Sequence, residues 1–236
     1  MGTIINAFAV ILGGGIGMIM KGGLPQRVSD LLMQALGLCT IFIGICGTLA
    51  EMMQVHDAQL TSQGTMLLIA SLGIGAVIGE LIDIEGRMEH MANRIKRMVH
   101  SDDNTFVEGF VSNSLVICVG AMAVVGALQD GLTHDSSMLF TKAILDGIIS
   151  MVFASALGIG VLFAAFPLAI YQGAITLLAG AIAPLFHATL ISNLSLVGSV
   201  LIFGVGVNLL FGKQIRIGNL LPALVVPIVY AIIQAF

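Results

Sequence analysis

The chain reads as long apolar runs separated by short stretches of glycine, proline or charge. The runs fall at Thr3 to Met20, Leu31 to Met52, Thr65 to Ile82, Phe106 to Leu128, Leu139 to Phe166, Leu168 to Phe186, Leu194 to Gly212 and Asn219 to Phe236. Segments such as Ala7 to Leu12 and Leu162 to Ile170 are apolar on every face, without the period-two alternation of barrel strands. Strands are therefore improbable. A helix needs about 20 apolar residues to cross a hydrocarbon core roughly 30 Å thick. The pattern predicts an all-α, polytopic transmembrane helix bundle of about eight helices. The weakest division is between the fifth and sixth, where only Pro167 interrupts the apolar stretch; the count is seven if they merge or one is re-entrant. Proline suits the first turn of a helix better than its middle.

The segment from Asp83 to His100 breaks the apolar pattern. Ile84, Met88, Met91, Ile95 and Met98 recur at helical spacing among charged residues, which predicts an amphipathic cytoplasmic helix after the third span. Its methionines would pack beneath the bundle, with Arg94, Lys96 and Arg97 meeting anionic headgroups; a gate or a dimer contact is the functional alternative.

Composition confirms the solvent. The 236 residues are 58% hydrophobic and 9% charged, with a mean hydropathy of +1.07, against about a quarter charged in a soluble domain. Between Asp146 and Lys213 there is no Asp, Glu, Lys or Arg. The whole chain, 1–236, is expected to be a single integral membrane domain with the lipid bilayer as its main partner. A homo-oligomer is compatible with this pattern. A net charge of −4 with nine basic residues gives no footprint for nucleic acid.

Basic residues orient the bundle. Lys21 and Arg27 lie in the first loop, Arg87, Arg94, Lys96 and Arg97 in the third, and Lys213 and Arg216 in the seventh. Cytoplasmic loops carry such residues, so odd loops are expected inside and both termini outside, in a bacterial inner membrane. Seven crossings would put the last basic loop on the wrong side. The first segment reads as a membrane helix and not a cleaved signal, since no basic residue precedes it and Lys21 follows it.

Glycines cluster within the helices. Gly13 with Gly17 and Gly75 with Gly79 have the four-residue spacing that lets helix backbones approach closely. No strand precedes them and no Lys-Ser or Lys-Thr follows, so a nucleotide loop is a poor reading. Ile5-Asn6 before Gly13–Gly17 is echoed by Tyr171-Gln172 before Ala179–Ala183, in helices expected to run oppositely, as an inverted repeat would leave. A second echo, Ala70–Gly75 against Ala154–Gly160, joins helices that run the same way.

Candidate chemistry centres on Asp146, an acid inside the fifth helix, where a carboxylate costs on the order of 2.5–3.5 kcal/mol to insert. Lys142 precedes it by one turn, so the two can pair on one face. The pair is either a structural salt bridge or an ion or proton site in which Lys142 competes for the carboxylate. Asn6, Gln172, Asn208 and Asn219 carry amides that lipid cannot satisfy, and are expected to face inward, as interhelical bonds or as the lining of a polar path. Glu51, Glu108 and Asp130 lie near helix ends, where a solvated charge is expected. Glu80, at the inner end of a glycine-faced helix, is the exception kept as a candidate ligand. Cys39, Cys46 and Cys118 show no metal spacing and read as small buried residues. Pro184, Pro222 and Pro227 are expected to kink the sixth and last helices. No zinc-protease, serine-hydrolase or cofactor motif is present, so neither enzyme activity nor a cofactor is expected. Without a nucleotide-binding motif, active transport would draw on an ion gradient or a separate energising subunit.

Several strings together carry a resemblance: Gly2-Thr3-Ile4-Ile5-Asn6 with Gly13 to Gly17, Glu108-Gly109-Phe110-Val111, Val119-Gly120-Ala121-Met122 with Gly126-Ala127-Leu128, Lys142 with Leu145-Asp146-Gly147, and Asn219-Leu220-Leu221-Pro222. In order and spacing they resemble the bacterial inner-membrane family that includes YqgA and YdfK, a domain of unknown function. The resemblance spans nearly the whole chain. It implies a polytopic membrane protein and transfers no substrate or catalytic residue.

Overall fold

A computed structural model describes residues 1–21, 26–56, 59–118, 121–182 and 187–235. They form an all-α bundle whose chain divides into two compact units: Met1–Leu36, Arg87–Cys118 and Met122–Ile182 make the first, and Gly37–Gly86, Val119–Ala121 and Ala183–Phe236 the second.

The first unit is built on α1 (Gly2–Lys21), α5 (Phe106–Cys118), α6 (Ala121–Thr133), α7 (Ser137–Leu157) and α8 (Ala165–Ile182), with a 3-10 segment at Gly158–Ala164 between the last two. Glycine sets how closely α1 and α7 approach. A Cβ at Gly13 would lie 2.0 Å from the Gly147 carbonyl oxygen, and one at Gly17 would lie 2.1 Å from that of Met151. Contacts fix the directions of the helices. Gly2 meets Leu139, Gly13 meets Gly147 and Gly17 meets Met151, so α1 and α7 run parallel. Gly14 meets Leu162, Asn6 meets Gln172 and Thr3 meets Thr176, so α8 runs against α1. α5 runs against α7, because Gly160 touches Phe106, Asn113 bonds Ser150 and Ile117 bonds Lys142.

Accordingly α7 and α8 are separate, antiparallel helices. Ser137–Ala181 is one apolar helical run of 45 residues, but the chain reverses within it. The break comes at Gly158, with φ 79 and ψ −153, a region essentially reserved for glycine. Pro167, the expected divider, sits in the first turn of α8, where its missing N–H has no helical acceptor to lose. The expected fourth helix is likewise two: α5 and α6 meet at 61°.

The second unit contains most of α2 (Gln26–Met52), together with α3 (Thr65–Ile82), α9 (Ala188–Phe211), α10 (Ile217–Leu220) and α11 (Val225–Ala235). α9 runs against α2, as Gly37, Gly44 and Gly47 meet Leu210, Phe203 and Ser199. It begins at Ala188, before the expected Leu194, with Leu190 and Ile191 N–H bonded to the His187 carbonyl, and Ser192 inside it donates to Glu51 of α2 at 2.5 Å. α10 and α11 run against α3, with Gly75 on Ala223 and Gly79 on Asn219. Pro222 lies in a 3-10 segment, Leu221–Leu224, that splits the last helix, and Pro227 lies in the first turn of α11. Pro184 lies outside the described residues. A two-stranded antiparallel ribbon, β1 (Met53–His56) with β2 (Gln59–Ser62), joins α2 to α3; it lies between the spans, where the sequence predicted no strand.

α4 (Ile84–Met98) is the expected amphipathic helix. Asp83 separates it from α3. Its backbone is left-handed, at φ 53, and its carboxylate accepts the Gly86 N–H at 3.2 Å, as an N-cap does. Ile84, Met88, Met91 and Ile95 are half-buried and Met98 is exposed.

The bundle presents apolar side chains outward and small or polar ones inward. Ile4, Phe8, Ile11 and Ile19 of α1 are exposed, while Asn6, Val10, Gly13 and Gly17 are buried. On α8 Leu177 is 87% exposed and Gln172 is 0%. In water such a surface would be an aggregation site; against hydrocarbon it costs nothing. Cys39 and Cys46 are corrected by this rule. Both are exposed on α2, and Cys118 is half-buried, because a lipid-facing position accepts a small apolar side chain as readily as a core position does.

Candidate polar site within the first unit

α7 carries Lys142, Asp146 and Ser150 at successive four-residue steps, so all three lie on one helix face. All are buried: 6%, 4% and 0% exposed. Asp146 lies about 14 Å along α7 from Ser137 at roughly 1.5 Å per residue.

Neighbouring helices complete the file. Lys142 pairs with Asp146 on its own helix and donates a second hydrogen bond, at 2.8 Å, to the Ile117 carbonyl in the last turn of α5. Carbonyls in a helix's last turn lack in-helix donors and form the negative end of its dipole, so an ammonium is well placed there. Asn6 of α1 holds Asp146 from the other side: its Nδ2 donates to the carboxylate at 2.9 Å and to Gln172 Oε1 of α8 at 3.1 Å. One turn further along α7, Asn113 of α5 donates to Ser150 at 3.0 Å and to the Val161 carbonyl at 3.3 Å. Thr105 donates to the Leu157 carbonyl at 2.7 Å, so the file reaches the 3-10 segment.

Among the described residues, three buried atoms in this file have no partner: Asn6 Oδ1, Gln172 Nε2 and Asn113 Oδ1. An unpaired amide atom in an apolar interior costs roughly 1–3 kcal/mol on protein mutational scales. Water or a polar ligand would meet that demand. Among the described residues, no group of three or more His, Cys, Asp or Glu could hold a metal ion.

The seven candidates from the sequence divide into two sets. Asp146, Lys142, Asn6 and Gln172 come together in the first unit. Glu80, Asn208 and Asn219 lie in the second, around the segment between α9 and α10. Asn208 pins that segment, accepting from the Gln214 and Ile215 N–H groups at 2.9 Å and donating to the Ile215 carbonyl at 2.7 Å. Asn219 donates to Glu80 at 2.8 Å and accepts the Glu85 N–H at 2.7 Å. Glu80 also pairs with Arg216, and Glu85 with Lys213. Sequence reasoning missed Glu85, Asn113 and Ser150. The step from Lys142 through Asp146 to Ser150 is a legible signal for the last; Asn113 lies between Ser112 and Ser114, with no spacing that ties it to the other candidates. Asp130 is not solvated as expected. It is 4% exposed and accepts from the Gly2 N–H, the Met1 ammonium and Ser136.

Comparison with known proteins finds relatives along nearly the whole chain. Residues 1–232 match the family described as "Protein of unknown function (DUF554)". The chain is similar to the "Uncharacterized membrane protein YdfK" of Bacillus subtilis (strain 168), at 34% identity over 100% of this chain and 97% of that one. It is also similar to the "Uncharacterized protein YqgA" of Escherichia coli (strain K12), at 31% identity over 95% and 93%. No solved structure matches. The apolar helices fit a membrane protein, as the first relative is named, and by both the family match and these identities the chain belongs to the DUF554 family.

Proposed function

We propose that this protein moves a small solute or an ion across the bacterial cytoplasmic membrane, with Lys142 and Asp146 at its polar centre, and that it performs no covalent chemistry. One observation carries the reading. A file of polar side chains runs from Lys142 through Asp146 to Ser150 inside apolar helices, and Asn6, Gln172 and Asn113 beside it leave polar atoms unpaired. Lipid cannot satisfy these atoms, and intramembrane ionisable residues mark substrate and ion pathways. Breaks at α5–α6 and at Gly158–Ala164 flank the file, and transporters place discontinuous helices at their binding sites.

Helix directions support the topology. α1 and α7 run one way and α5 and α8 the other, as alternating crossings require, and α2 opposes α9 as α3 opposes α10 and α11. With the basic loops inside, both termini face outward; accessibility of introduced terminal cysteines to an impermeant reagent tests this. The partners in this reading are the bilayer and the solute.

Flux in proteoliposomes tests the function. Wild type should move one member of a broad ion and metabolite panel, and Asp146→Asn should abolish that flux while remaining inserted. A folded wild type that moves nothing leaves the rival reading, a non-transporting scaffold, assembly or sensory component, which draws on the closed Lys142–Asp146 pair as a structural lock.

A further inference from the structure

We infer that the Lys142 ammonium occupies a site for a partly dehydrated monovalent cation, and that Lys142 and this cation exchange as alternative partners of Asp146. The inference deepens the transport reading and rests on it.

Two oxygen atoms meet the ammonium, and an unpaired third lies on the amide that holds one of them. The Asp146 carboxylate and the Ile117 carbonyl each accept one of its hydrogens. Asn6 holds the same carboxylate oxygen through Nδ2, and its Oδ1, on that same amide, has no partner. The residue is wholly buried, so this acceptor has no access to solvent in place of a ligand. The end of α5 adds the negative pole of a helix and carbonyls with no in-helix donors, the groups with which discontinuous membrane helices coordinate cations.

The charge balance sets the valence. The site holds one carboxylate, and its resident charge is a single ammonium. A divalent cation would need more carboxylates or a larger oxygen shell. An anion there would face the Asp146 carboxylate and the Ile117 carbonyl.

Exchange follows from burial. Asp146 is costly to leave unpaired in this interior, so departure of one cation must be coupled to arrival of another. Each is held from outside its helix, Asp146 by Asn6 and Lys142 by the Ile117 carbonyl, but the Lys142 ammonium is a point charge on a flexible four-carbon stem. Lys142 is thus the partner able to leave.

Removing the tethered cation tests this. Lys142→Met and Lys142→Gln, in the full-length protein in detergent, are titrated with LiCl, NaCl and KCl at ionic strength held constant with choline chloride. At least one of the three salts should raise the Tm of each variant saturably, by about 5 °C at a hundredfold excess over the apparent Kd. The same salt should leave Lys142→Met/Asp146→Asn unmoved. If neither variant is stabilised by any of the three cations, whether because it is already stable or because it never folds, the inference is overturned. It is overturned equally if the double variant responds as the single ones do. Wild-type flux is a separate readout. An inert wild type beside a cation-stabilised Lys142→Met would remove the transport reading and leave the site; flux without any cation effect on the variants would do the reverse.

Discussion

The two units each gather acids, bases and asparagines, yet they put them to different uses. In the first unit Lys142 and Asp146 are 6% and 4% exposed, their helical neighbours are apolar, and the amides around them are incompletely bonded. In the second, Glu80 and Arg216 have side chains 56% and 64% exposed, and Asn219 and Asn208 make bonds at both ends of their amides. Among the described residues, the unpartnered buried atom there, Ser71 Oγ on α3, lies outside that cluster. Exposed charges gain little from pairing, because water serves them nearly as well; buried ones depend on their partners. The second cluster is therefore a latch that holds the α9–α10 segment to the ends of α3 and α4, and the first is the candidate site.

Substitutions should separate the two roles. The largest effect is expected from Asp146→Ala, which strands a buried ammonium. It should lower stability by about 3–5 kcal/mol and remove flux, read by thermal unfolding and by the proteoliposome assay. Unchanged stability would place Asp146 in contact with water and dissolve the contrast between the units. Next is Gly13→Ala, whose Cβ would meet the Gly147 carbonyl at 2.0 Å. Separating α1 from α7 should cost about 1–3 kcal/mol, while Gly15→Ala, with nothing within 4 Å, should be neutral or better in the same unfolding assay. Asn219→Ala removes the acceptor of the buried Glu85 N–H and should cost about 1–3 kcal/mol with flux per folded molecule preserved. Glu80→Gln should be smallest, under about 1 kcal/mol; a loss of flux there would move the functional site into the second unit.

Much of this was legible in the sequence, for physical reasons. Apolar runs long enough for hydrocarbon fix where helices form, and the spacing of Lys142 and Asp146 on one helix fixes that they pair. Asn6 and Gln172, corresponding positions of the Ile5-Asn6 and Tyr171-Gln172 echo, lie on antiparallel helices and bond to each other. What the sequence hid is what lipid makes degenerate. An outward-facing cysteine and an inward-facing one are both apolar, so the exposure of Cys39 could not be read. The reversal at Gly158 rests on a backbone conformation that looks, in one dimension, like any other membrane glycine, and Pro167 drew attention from it. Asp130 was read as solvated because it lies near a helix end, but its carboxylate is enclosed by groups distant in sequence.

The two clusters also differ in when they can form. Lys142 and Asp146 are neighbours on one helical turn, so the emerging α7 can enter the bilayer as an already neutral segment. Glu80 and Glu85 await residues 139 and 134 positions away. Until the ribosome has delivered α10, those two acids and the end of α3 have only headgroups and water for company, which makes closure of the latch a late step of assembly.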